Sequence, residues 1–143
     1  MDENINVLDE LNKGACMGID AISFIIEKIE DQEFKNSLVV QSQKYKDVSD
    51  RINKIYKKYN KDDSPHETSA MNKAMTWSGI EMKTIMDHSD SKIAELLLKG
   101  TNMGIIEGRK ILNNKNMDNE IRKIAEEYVL MQEDSVENLK KYL

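Results

Sequence analysis

The chain has 143 residues, a formal net charge of −5 and a sequence pI near 5.1. That length suits one domain with a single core, and 39% hydrophobic beside 33% charged residues suits a water-soluble globular fold. No apolar run approaches the roughly 18 residues that a membrane span needs, and the acidic balance argues against a nucleic-acid surface.

A single proline, six glycines and recurrent period-3.6 apolar stripes, with almost no alternating pattern, predict an all-α protein. The first helix is expected over residues 4–29, with Leu8, Leu11, Ala15, Ile19, Ile22, Ile26 and Ile29 on one stripe. Asp31 then offers an N-cap for a second helix over 32–59, striped by Phe34, Leu38, Gln41, Tyr45, Val48, Ile52, Ile55 and Tyr59. Lys54, Lys57, Lys58 and Lys61 gather at its end, where cations meet the helix dipole favourably. Ser64-Pro65-His66-Glu67 combines an N-cap serine, a first-turn proline and a capping-box acid, and predicts a connecting helix over 65–87. A third helix is expected over 91–112, and Asp118 caps a fourth that runs to about residue 142. The expectation is one domain, residues 1–143, made of hairpins 4–60 and 91–142 joined by the crossover helix.

The two hairpins look like one unit written twice. K-G-A-C-M-G-I at Lys13 to Ile19 returns as K-G-T-N-M-G-I at Lys99 to Ile105. At a near-constant offset Asp31 pairs with Asp118, Glu33 with Glu120, Lys35 with Arg122 and Asp47 with Asp134. Gly14, Gly18, Gly100 and Gly104 each cost a helix roughly 0.8–1 kcal/mol relative to Ala, so something must offset them. Close backbone approach between two helices is the expected compensation, since each pair shares a helix face. Lys13, Asp20, Lys99 and Glu107 make these glycines poor candidates for membrane dimer motifs.

Two repeated helical hairpins with a long crossover resemble the ferritin-like superfamily, an up-down four-helix bundle, here with an additional helix in the crossover. The resemblance implies a two-metal centre: one Glu from each of the first and third helices, and Glu-x-x-His from each of the second and fourth. In this chain the slots on the first and third helices fall on Ala15 and Thr101. Those on the fourth fall on Gln132 and Ser135, opposite Tyr45 and Val48 on the second. Neighbouring registers restore no Glu-x-x-His, so the usual ligands are missing and no cofactor is expected. Asp47 and Asp134 fall off the apolar stripes; Glu107, with Asp20 or Glu133, is the remaining acid set for a non-standard metal site. The middle of the bundle reads instead as a polar layer of Gln41, Tyr45, Thr101, Tyr128, Gln132 and Ser135, which is either a register-fixing network or the lining of a small-ligand cavity.

Nothing else in the sequence marks an active site. His66 and His88 stand at helix boundaries without ligand partners at metal spacing, and Cys16 lacks a paired base. A lone cysteine and an N-terminal stretch without a basic or long apolar region fit a cytoplasmic protein. Lys, Asn and Ile usage suggests an AT-rich bacterial genome. Met71, Met75, Met82 and Met86 form an adaptable face on the crossover, and Trp77, Ile80, Met17 and Phe24 are candidate interface residues. The reading placed first is a non-catalytic interaction or structural protein, self-associating as a homo-oligomer (a dimer) or binding a protein partner. The alternatives are a di-metal carboxylate oxidase or metal-storage protein, and a small-ligand sensor.

Overall fold

A computed structural model of the chain describes residues 3–61, 63–65, 87 and 89–143. Four long helices account for most of them: α1 (Glu3–Ile25), α2 (Gln32–Tyr56), α3 (Asp90–Asn114) and α4 (Asn119–Leu139). There is no strand among the described residues. The crossover helix expected over 65–87, with Trp77, Ile80, the four methionines and His66, lies outside the described residues except for its two end positions, and so does His88.

Each helix buries one stripe at helical spacing. On α1 this is Val7, Leu8, Leu11, Ala15, Ala21, Ile22 and Ile25; on α2, Phe34, Leu38, Gln41, Tyr45, Val48, Ile52 and Tyr56. Residues 93, 94, 96, 97 and 111 on α3 and 121, 124, 125, 128 and 129 on α4 close the same core. At roughly 25 cal/mol per Å² of apolar surface removed from water, these stripes supply most of the driving force for assembly.

Helix ends depart from the sequence expectation where tertiary contacts take over. The first helix stops at Ile25, tightens into a 3-10 turn over Ile26–Lys28, and turns out at an extended, buried Ile29. This frees the next two amides for Asp90, at the start of α3: its carboxylate accepts from Glu30 N at 3.1 Å and from Asp31 N at 3.0 Å. At the opposite end the start of α1 does the same for the loop between α3 and α4, with Glu3 Oε2 accepting from Asn116 N at 2.8 Å and Asn4 Oδ1 from Asp118 N at 2.9 Å. Asn4 and Asp90 thus hold equivalent places at opposite ends of the bundle.

Asp31 caps α2 as expected, accepting from Phe34 N at 2.9 Å. Asp118 stands at the N-cap of α4 but makes no side-chain cap bond; its Oδ2 accepts instead from the Tyr59 hydroxyl at 3.0 Å. Tyr59 also donates to Glu120 at 2.6 Å, so it is held in a turn beyond the end of α2 at Tyr56. The last turn of the chain narrows to a 3-10 turn over Lys140–Tyr142, and the Tyr142 ring stacks on Phe34 with centroids 4.3 Å apart.

These contacts fix the topology. The start of α1 meets the end of α3, and the start of α3 meets the end of α1, so the two helices are antiparallel. The end of α2 meets the start of α4 through Tyr59 and Lys58, so α2 runs parallel to α3.

The paired acceptance by Asp90 yields a prediction. Asp90→Ala should lower unfolding free energy by about 1 kcal/mol, the worth of charge-assisted bonds at a solvated helix end, as read from the urea midpoint at unchanged m-value.

Candidate functional site

The polar residues at mid-bundle are all buried, from Gln132 at 1% exposed to Gln41 at 6%. Five of them are linked through hydrogen bonds that meet at Tyr45 and Gln132, and Ser135 is satisfied within its own helix. Gln41 Nε2 donates to Thr101 Oγ1 at 3.4 Å, linking α2 to α3, while Thr101 donates back to Leu97 O at 2.7 Å. Across the bundle the Tyr45 hydroxyl donates to Gln132 Oε1 at 3.0 Å, and Gln132 Nε2 donates to Tyr128 O at 3.1 Å. Ser135 turns to its own helix, donating to Met131 O at 2.8 Å. The rings of Tyr45 and Tyr128 lie against each other, tilted by 56° with centroids 6.4 Å apart.

The glycines make room for these side chains. A Cβ on Gly18 would come within 2.5 Å of Tyr45 Cζ, one on Gly14 within 2.9 Å of Tyr128 Cζ, and one on Gly104 within 2.9 Å of Gln132 Cδ. The anticipated close contact between glycine-bearing backbones is replaced by side chains reaching in from α2 and α4. Gly108, which the sequence reading passed over, does likewise: its Cβ would lie 2.5 Å from Val129 Cγ2. The available signal was its spacing of four from Gly104.

Between the glycine faces of α1 and α3 lies a cavity of about 350 Å³. Gly14 and Gly18 line one side, Gly100 and Gly104 the other, and Tyr45, Tyr128 and Gln132 reach in from α2 and α4. Met17, half-buried, and Met103, half-exposed, flank it, and Glu10, Lys13 and Glu107 line it as charged, exposed residues. Met17 therefore lines this space, while Phe24 is 42% exposed.

Burial pushes the Tyr45 hydroxyl up to about 12, against a smaller lowering by Gln41 and Thr101. Tyr128 is raised as well, first by burial and then by negative charge on Tyr45 and Glu107, with Gln132 opposing. Both stay neutral donors at any physiological pH.

The fold invites a test for a two-metal centre, and the donors present do not fit one. Such a centre needs carboxylates and imidazoles converging at mid-bundle, whereas phenols, amides and hydroxyls converge here. Among the described residues no three His, Cys, Asp or Glu side chains cluster to hold an ion. The fallback acids are dispersed: Glu107 is exposed at the cavity, Glu133 pairs with Arg109 at 2.9 Å, and Asp20 is half-buried on α1. Asp47 and Asp134 are exposed.

The model superposes on a dodecameric thioferritin, the bacterioferritin-related protein from Bacteroides fragilis, with a TM-score of 0.68 at 11% identity, covering 99% of this chain and 86% of that one. The chain has a ferritin-like fold. No protein-family model and no curated protein matches it. The ferritin-like bundle anticipated from the paired hairpins is thus found, and no helix among the described residues is long and apolar enough to cross a membrane.

Alkaline titration tests the buried phenols of this ferritin-like core. A group whose folded pKa is raised keeps its contribution below the unfolded value, near 10, and loses it as pH climbs through the folded value. Stability should therefore hold to about pH 10 and fall from there toward pH 12 and beyond, with phenolate absorbance from Tyr45 and Tyr128 appearing only as the chain unfolds.

Proposed function

We propose that this chain is a non-catalytic ferritin-like bundle that binds a small organic molecule at mid-bundle, where proteins of its fold can hold a pair of metal ions. The cavity of about 350 Å³ between α1 and α3 carries this reading. It lies at the low end of the size range of small-molecule pockets, and it combines apolar walls with a few buried polar groups, the usual composition of such sites. Glycines at four lining positions bring bare backbone to the cavity wall, and at Gly14, Gly18 and Gly104 they let Tyr128, Tyr45 and Gln132 reach its edge. The ligand-binding reading therefore stands ahead of a purely structural or interaction role, and the amide and phenol donors disfavour oxidase or metal-storage chemistry.

The two hairpins are read as copies of one unit, and the whole chain as a single domain. Self-association is part of the reading, supported by the dodecameric thioferritin that shares the fold; the dimer anticipated from sequence gains no support from it. A cytoplasmic location agrees with a lone half-buried cysteine.

Growth in iron- and manganese-supplemented medium, followed by metal analysis, should return well under one ion per chain. The same sample should gain thermal stability from some members of a collection of one- and two-ring compounds, since a ligand at 100 times its Kd adds about 2.7 kcal/mol to the folded state. Two ions per chain, with no compound shifting the melting temperature, would reverse the assignment.

A further inference from the structure

The charges and donors around the cavity identify a ligand class, an inference that rests on the ligand-binding reading above. Tyr128 is 4% exposed, and its ring reaches the Gly14 side of the cavity. Its hydroxyl shares a side-chain hydrogen bond with Gln132, and as both donor and acceptor it keeps capacity for a second partner at the cavity wall.

The charged lining consists of two carboxylates, Glu10 and Glu107, against one ammonium, Lys13. None of the three is ion-paired with a described residue, whereas Glu95, Glu120, Glu127 and Glu133 all have cationic partners. The field of Glu107 reaches the buried phenol of Tyr128. The remaining walls are aromatic rings, bare glycine backbone and the thioethers of Met17 and Met103, which favour a flat, polarisable body.

We propose that the α1/α3 cavity binds a small aromatic cation, with its charged nitrogen toward Glu107 and Glu10, its ring between Met17 and Met103, and an acceptor or π-face meeting the Tyr128 hydroxyl. Aromatic side chains and carboxylates together select such a molecule over its neutral and anionic analogues.

Three probes with one indole body separate the contributions: tryptamine (cation), tryptophol (neutral) and indole-3-acetate (anion). Binding is read from methionine methyl NMR shifts, with Met17 and Met103 reporting on the cavity and Met131, buried in the α4 stripe, as the remote control. Tryptamine should bind about tenfold more tightly than indole-3-acetate, with tryptophol between them. Glu107→Gln should weaken tryptamine about threefold and leave tryptophol unchanged, and Tyr128→Phe should weaken both. Shifts at Met17 and Met103 with no preference for the cation, or an indifferent Glu107→Gln variant, would overturn the ligand class and leave the cavity as a binding site. If none of the three probes shifts Met17 or Met103, the ligand class and the binding reading both fall.

Discussion

The absence of β-carbons along facing stretches of α1 and α3 is the constraint on which the middle of this bundle depends. Tyr45, Tyr128 and Gln132 occupy volume that any other residue at Gly18, Gly14 and Gly104 would fill. Helix propensity opposes this choice by roughly 0.8–1 kcal/mol at each glycine. It is offset by burying large aromatic surface, and by the bond from Tyr45 to Gln132, which leaves neither the hydroxyl nor the amide oxygen unsatisfied in a low-dielectric interior. Backbone freedom at positive φ plays no part, because no described glycine adopts it.

The mid-bundle donors of this chain also differ in kind from those of a two-metal centre. A two-metal centre is held by carboxylates that neutralise the ions and pull four helices together. Here neutral hydrogen-bonding groups do the linking, pairwise: Gln41 with Thr101 joins α2 to α3, and Tyr45 with Gln132 joins α2 to α4. Between the glycine faces of α1 and α3 lies the cavity. At the bundle ends, by contrast, these two helices are tied through Asp90 and Asn4 to each other's loops.

Much of the architecture was legible in the sequence because it follows from local rules. Apolar periodicity located four helices, Asp31 announced its cap, and the returning K-G-x-x-M-G-I segment pointed to paired hairpins. The six polar mid-bundle residues fell on the buried stripes, so their burial was also readable. What the glycines were for was not. The sequence shows that a side chain is missing but not what occupies its place, and the partners Tyr45, Tyr128 and Gln132 lie on other helices. Helix ends were overrun for the same reason: Ile29 and Tyr59 continue the stripe pattern, yet Asp90 and Glu120, distant in sequence, draw those segments out of the helix. Asp118 looked like a cap but is engaged by Tyr59, and Asp9, unremarkable in the sequence, is buried and accepts from Tyr56 at 2.9 Å.

The effect of Gly18→Ala on stability tests the account most directly, because the two forces it invokes predict opposite signs. Helix propensity alone predicts a gain of about 0.8–1 kcal/mol. Overlap with the Tyr45 ring costs typically 1–3 kcal/mol when a well-packed site is overfilled, so the account predicts a net loss of about 1 kcal/mol, read from urea unfolding. A variant more stable than the parent chain would contradict it.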